Sequence, residues 1–386
     1  MLLKTSLTLF FIVSVIFSTI YTPQAILPTL QNELNLSMTQ TNLLLSGMLF
    51  VLMVATPLYA PIVRRFEKKK IMMVALFFLF LSVLISAFST NYTMLLISRI
   101  MQGISIPGIT PTMLVYVQEI YPKEQRGLGM GIYMASTGFG AVMGRLLAGW
   151  MTYLYSWQEA FGLFAFLLLV ALFVMTWGLP STKVVQRRGK IVKREAFFGY
   201  LFKPQILSVL FIPLVVFFSF MAITTFVTYH LAQAPFGLNE AELGSLFLVL
   251  LLAVVASPLA GYYSDRLGRV KVLFLALASL VVGILLTLSS SLELILLGMG
   301  LVTIGMFSVQ SVTPTYLGDL VPNNRATVAV LYQTFFYMGG ALGTLLPVLA
   351  WEYGGYNGVV WFCLGLLLFG VSPVVYMILK RKIYAK

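Results

Sequence analysis

Charged residues are scarce in this sequence. Only 10% of its 386 residues are Asp, Glu, Lys or Arg, against 60% hydrophobic, and the mean hydropathy is +0.96. Water-soluble domains carry roughly 25% charged residues, so a globule of this length would have too little polar surface to face water. Lipid is the implied solvent. Cysteine and histidine are scarcer still: Cys363 and His230 stand alone. A single cysteine excludes disulfides within the chain and a Cys-based metal site, and zinc catalysis has almost no ligands to draw on. No cofactor, metal or enzymatic activity is expected, since a Ser/His/Asp grouping and a phosphate-binding glycine loop are missing too. GLGMG (127–131) has the glycines of a nucleotide loop but opens an apolar stretch, so it reads as helix packing.

Carboxylates are also missing from the middle of every apolar stretch. Glu33, Glu159, Glu240, Glu242, Glu293 and Glu352 fall at one set of ends. Glu67, Glu119, Glu124, Glu195, Asp265 and Asp319 fall at the other. A buried acid that titrates in mid-membrane is therefore not visible, and proton coupling stays open. Glu33 and His230, at the outer ends of their stretches, are the remaining candidates for it.

What the chain has in abundance is long apolar runs. Twelve lie at roughly 6–30, 40–62, 71–90, 93–116, 127–152, 159–179, 205–230, 241–262, 272–290, 293–317, 326–350 and 356–379. Each is near the ~20 residues that cross a bilayer as a helix. The first could pass for a signal peptide, but it runs on to Leu30 without a small-residue cleavage site. If both termini are inside, 23 of the 25 basic residues share one face, and the opposite loops carry none. Positive charge retained on the cytoplasmic side is the usual bias of membrane insertion. The net charge of +13 thus reflects topology and gives no reason to expect nucleic acid.

One long polar linker, residues 180–204, divides the runs six and six. Its aromatic second part (Phe197, Phe198, Tyr200, Phe202) suits the headgroup boundary. The halves repeat weakly: Tyr116, Glu119 and Pro122 match Tyr316, Asp319 and Pro322, and Tyr133, Gly140 and Gly144 match Tyr332, Gly339 and Gly343. The segment from Ala60 matches the one from Gly261. Parallel repeats of this kind place a substrate site near the midplane between halves that rock.

Several motifs then resemble those of the major facilitator superfamily. GYYSDRLGRVK (261–271) is similar to its loop signature G-x-x-x-D-R-x-G-R. RIMQG (99–103) resembles R-x-x-Q-G, and GIYMASTGFGAVMGRLLAG (131–149) resembles the motif of the antiporter branch. The drug- and sugar-efflux-like permeases, including arabinose-efflux-like and drug:proton antiporter relatives, are the nearest flavour. The resemblance implies an all-α membrane protein of twelve transmembrane helices, built as two six-helix bundles with pseudo-two-fold symmetry. These would be residues 1–179 and 205–386, joined by the cytoplasmic basic linker 180–204. It further implies a monomer in the bacterial inner membrane, with cytoplasmic termini, exporting a small amphipathic solute. An uptake carrier or uniporter for an organic anion, and a lipid-handling membrane protein, are the alternatives.

Two departures stand out. After the second run the loop reads APIVRRFEKK (60–69), with Arg64 and Glu67 where the family places aspartate and glycine. The first of its two cytoplasmic latches is therefore expected to be weak or to work differently. In the antiporter motif, Arg145 stands where the family has proline after glycine.

Arg99 and Arg145 are the two basic residues inside apolar runs, at similar expected depth, and the second repeat has Met299 and Thr344 in their places. Two roles are open to each: a staple on neighbouring backbone, or a grip on an anionic or carbonyl-rich part of the substrate. The resemblance implies a cavity lined by Tyr21, Gln24, Tyr116, Phe226, Gln310, Tyr332 and Gln333 beside Arg145. It implies coupling or gating roles for Arg99, Gln102, Gly103, Asp265, Arg266, Gly268 and Arg269. Gly140 and Gly144 form a small-residue face on which another helix can pack closely.

Overall fold

The computed structural model describes residues 2–122, 125–181, 199–200, 203–321 and 325–384, and the described residues are helical or in short connections. Most of the linker 180–204 lies outside them, including Phe197, Phe198 and Phe202 of the aromatic run expected at the headgroup boundary. Among the described residues, eleven helical segments are long and apolar enough to cross a membrane. The remaining expected span, 127–152, is also a helix, Arg126–Leu154, of 29 residues. At 1.5 Å per residue it extends ~43 Å, enough for a bilayer; its glycines and Arg145 lower its hydropathy.

The chain divides into two compact units. The first comprises Met1–Arg188 and Thr228–Leu251, the second Gly189–Val227 and Leu252–Lys386. In the first unit run α1 (Leu2–Tyr21), α2 (Leu27–Glu33), α3 (Met38–Arg65), α4 (Lys68–Ala87), α5 (Tyr92–Ile120), α6 (Arg126–Leu154) and α7 (Trp157–Gly178). Helix α8 (Pro204–Ala232) begins in the second unit and ends in the first, which also holds α9 (Glu240–Leu246). The second unit continues with α10 (Leu252–Leu267), α11 (Arg269–Leu286), α12 (Leu292–Leu320), α13 (Arg325–Leu345) and α14 (Pro347–Tyr384).

Two expected spans are interrupted, and a third break falls between the eleventh and twelfth. The first breaks into a 3-10 turn at Thr22–Ala25, where Pro23 cannot donate a backbone bond. The eighth breaks at Phe247–Leu251, between α9 and α10. In α14 the helical path kinks at Gly354 and Gly355, the latter at φ +57°.

Helices that start at the end poor in basic residues carry side-chain caps. Ser37 and Gln40 form a capping box on α3, and Asn239 and Glu242 form one on α9. Asn91, Ser156 and Ser291 cap α5, α7 and α12. These groups satisfy amides that the first helical turn leaves unpaired. At the basic end, α4, α6 and α11 begin with Lys68, Arg126 and Arg269 and lack a side-chain cap. Cations at a helix N-terminus oppose its dipole, so the insertion bias outweighs local helix preference there. Lys69 recovers part of that cost by donating to the carbonyls of Thr176 and Leu179 at the C-terminus of α7, at 2.7 and 2.6 Å.

Candidate functional site

The break in α1 is the centre of the polar interior of the first unit. In an unbroken helix the amide of residue 23 would bond the carbonyl of Thr19. Proline has no such amide, and Arg99 fills the gap: its Nη1 donates to the Thr19 carbonyl at 2.9 Å and its Nη2 to that of Ile20 at 2.8 Å. Nε donates to the Leu44 carbonyl at 3.0 Å, on α3, and Nη1 also reaches Gln102 Oε1. Gln102 passes the network on to Ser86 Oγ at 3.1 Å, which meets Ser98 Oγ at 2.7 Å. Arg99 is 0% exposed. Its donors are committed to backbone and to Gln102, which is the staple arrangement.

Arg145 approaches the same break from α6. Its Nε donates to Gln24 Oε1 at 2.7 Å, and Nη1 returns to the Ala141 carbonyl one turn back at 2.6 Å. The guanidinium carbon lies 4.1 Å from the centroid of Tyr21 and 4.8 Å from that of Phe247, a cation–π arrangement on two rings. The residue is only 1% exposed. Among the described residues no carboxylate forms an ion pair with it. The two arginines thus share a level on α1 but differ in bonding: Arg99 is held mainly by main-chain oxygen, Arg145 by an amide side chain, one carbonyl and aromatic faces.

Glycines bring α6 to α1. A Cβ added to Gly140 would collide with the Ser14 carbonyl oxygen, and one added to Gly144 with that of Ser18. Ser18 Oγ shares its proton between the carbonyls of Ser14 and Gly140, both at 2.9 Å. The second unit repeats the seam: a Cβ on Gly339 would collide with the Leu214 carbonyl, and one on Gly343 with that of Phe218. Tyr133 donates to the Thr110 carbonyl at 3.4 Å in the first unit, and Tyr332 donates to that of Gln310 at 3.5 Å in the second. Against this repeat the broken α1 and the two arginines are peculiar to the first unit. Met299 and Thr344 are buried at the matching places, and α8 is helical where α1 breaks.

The other sequence candidates are dispersed. Tyr116 is buried, and its hydroxyl donates to the Pro180 carbonyl at 2.6 Å beyond the end of α7. Gly103 packs on the Met48 carbonyl, at 2.6 Å from a built Cβ. In the second unit Phe226 is buried beside Trp351, at 5.8 Å between ring centroids, and Tyr332 stacks on Phe336. Gln310 and Gln333 are half-buried.

Loops at the basic end complete the geometry. Arg269 Nε meets Asp319 Oδ2 at 2.6 Å, and Asp265 lies 3.9 Å from Arg269 while staying 74% exposed. The Arg266 guanidinium covers the Tyr262 ring at 4.2 Å. In the first unit Lys68 meets Glu119 at 3.2 Å.

Comparison with known proteins decides what these features belong to. The profile of the Major Facilitator Superfamily matches residues 9–249 and 209–384. The chain belongs to the Major Facilitator Superfamily. It is 26% identical to the inner membrane transport protein YnfM of Escherichia coli K12, covering 99% of this chain and 92% of that protein. It is 27% identical to the uncharacterized MFS-type transporter YybF of Bacillus subtilis strain 168, over 89% and 86% of the two chains. Its fold is similar to that of a bacterial homologue of the human lysosomal transporter Spinster, with TM-score 0.71 at 20% identity over 99% and 95% of the chains. It is thus a multi-pass membrane transporter with the two-domain fold of this superfamily.

One departure from the superfamily loop pattern, Glu67 in place of glycine, has a backbone explanation. Gly268 stands before α11 at φ +92°, where a side chain is strained, whereas Glu67 stands before α4 at φ −63°, ψ 127°. The first loop takes a path that needs no glycine. Its ion pair survives in altered residues, since Lys68 and Glu119 occupy the positions of Arg269 and Asp319. The first loop thus carries an ion pair built from different residues.

Sequence reasoning missed Phe247, Gly149 and Gly244. Phe247 covers Arg145 only because the eighth span unwinds around it. A Cβ on Gly149 would collide with the Glu240 carbonyl and lie 2.9 Å from Gly244 Cα. Around this crossing Trp150 Nε1 donates to Ser245 Oγ at 3.2 Å and Thr29 Oγ1 to Glu240 Oε1 at 2.8 Å. The signal available was a pair of glycines on separate spans, which marks close packing without naming the partner.

Proposed function

We propose that this superfamily member exports a small amphipathic organic solute by alternating access, and that Arg145 receives an anionic or carbonyl-rich part of it. Support comes from Arg145 itself: a permanently charged group, almost fully buried, without a carboxylate partner among the described residues. Burying charge in a membrane protein is costly and usually marks a substrate or ion pathway. Gln24 and Ala141 each take one of its nitrogens, and the rings of Tyr21 and Phe247 supply apolar walls. Aromatic surface with a few placed polar groups suits an amphipathic ligand. The outward direction rests on the likeness to efflux permeases. We place the basic loops and both termini on the cytoplasmic side of the inner membrane, with a monomer as the working unit.

The test is a thermal-shift screen of chemically diverse solutes on the purified protein, followed by flux of each hit in proteoliposomes. A hit that stabilises the parent but not Arg145→Ala, and that moves across the bilayer, supports the assignment. Full-rate flux in both Arg145→Ala and Arg145→Lys overturns it.

The same guanidinium favours a second reading, uptake or facilitated diffusion of an organic anion. The two differ in driving force. Export coupled to protons follows an imposed pH gradient, whereas a uniporter follows the solute gradient and, for an anion, the membrane voltage.

A further inference from the structure

A groove of about 550 Å³ opens on the first unit between α3, α4 and α5, near the basic end. That volume falls in the range of small-molecule sites. Its walls include Tyr59, Phe66, Lys70, Val74, Phe78 and Ile104. Val74, Phe78 and Ile104 are about half exposed on helices long and apolar enough to cross a membrane, and none of the groove's walls contacts Arg145.

The groove has direction. Lys70 lies in the first turn of α4, and Val74 and Phe78 follow one and two turns deeper, ~12 Å along the helix. Two of its lining residues are drawn together by Gly108, where the Tyr59 ring and the Ala75 methyl each come within 2.7 Å of a built Cβ. A cation therefore stands at the entrance of an apolar trough of acyl-chain character.

The neighbouring cations are already occupied. Lys68 pairs with Glu119, and Lys69 binds the carbonyls closing α7. Lys70 is 79% exposed and pairs with Glu67 at 3.5 Å, the longest of these contacts, so a phosphate there competes with that carboxylate. The Tyr59 hydroxyl has no hydrogen-bond partner among the described residues. The Lys70 ammonium at the mouth of an apolar groove matches a phosphate, and the Tyr59 phenol, deeper among the walls, is an available donor.

We infer that this groove binds one anionic phospholipid, with an acyl chain along Val74, Phe78 and Ile104 and the phosphate at Lys70. The internal repeat supplies a control. Lys271 occupies the place of Lys70 in the second half, but Tyr59, Phe66 and Phe78 are replaced there by Ala260, Leu267 and Ser279. The charge is kept and the aromatic walls are not.

The experiment is native mass spectrometry of the full-length protein titrated with phosphatidylglycerol or phosphatidylcholine of identical acyl chains. The parent is expected to retain phosphatidylglycerol preferentially. Lys70→Gln is expected to lower that adduct about fivefold, the scale of one basic residue at a membrane surface, and Lys271→Gln to leave it unchanged. Val74→Trp, which fills the trough, is expected to remove the adduct while circular dichroism stays that of the parent. Equal losses in Lys70→Gln and Lys271→Gln would reduce the effect to general attraction by basic loops and overturn the site. Equal retention of the two lipids, or no loss in Lys70→Gln, would overturn it as well.

Discussion

The Arg99 guanidinium lies 2.9 Å from the carbonyl of Thr19, the acceptor that Pro23 leaves without its helical donor. One residue creates a vacancy in the backbone ladder and another, 76 positions along the chain by number, fills it. Removing Arg99 strands several buried carbonyls at once. Arg99→Ala is expected to destabilise the protein by about 3–5 kcal/mol, the scale for breaking a buried charged network. Denaturant unfolding in detergent measures it. Pro23→Ala restores the missing amide, so part of that loss is expected to vanish in the double variant, with a coupling of about 1 kcal/mol.

Arg145 is expected to act on ligand more than on stability. Hydrogen bonds to a charged group contribute about 1.5–3 kcal/mol, so Arg145→Ala is expected to weaken solute binding about 10–100-fold. Arg145→Lys keeps the charge and loses the planar fork, and is expected to fall between. Gln24→Leu frees the Nε donor and is expected to weaken binding less than Arg145→Ala. Solute-induced thermal shift, read against concentration for each variant, ranks them.

The glycine seams are expected to be intolerant of a single methyl. Gly144→Ala and its counterpart Gly343→Ala each drive a carbon into a carbonyl oxygen of the facing helix. Helix separation at either seam is expected to cost about 1–3 kcal/mol. Gly138→Ala is the control on the same helix as Gly144, because nothing lies within 4 Å of its built Cβ. It is expected to be neutral or slightly stabilising, by up to about 1 kcal/mol. Thermal unfolding of the three variants side by side separates packing from propensity.

At the basic end, Gly268→Ala is expected to cost about 1–3 kcal/mol through backbone strain at φ +92°. Glu67→Gly is expected to cost less, since that position already has an ordinary φ. Reversing the ion pair, with Lys68→Glu and Glu119→Lys in one chain, is expected to recover stability lost by either change alone. A double-mutant cycle on unfolding measures the recovery.

Much of the helical layout was legible in the sequence because membrane insertion imposes coarse, additive rules. Apolar runs located the spans, and Lys and Arg placement marked one set of ends. Gly140 and Gly144 announced a close helix contact, and α1 proved to be its partner. The partners of Arg99 were not legible, because Thr19, Ile20 and Leu44 accept through the main chain, which any residue supplies. Phe247 was hidden for another reason: its run is uniformly apolar, and nothing in Phe247–Leu251 signals a break. The Lys68–Glu119 pair was obscured by the altered motif around it. Sequence patterns report side-chain chemistry well and main-chain acceptors hardly at all.

The crossing of Gly149 and Gly244 has a mechanical consequence. The two helices touch there through bare backbone, so a methyl at either glycine would force them apart. The ring of polar fasteners around the crossing, Trp150 with Ser245 and Thr29 with Glu240, would then set how firmly it stays shut.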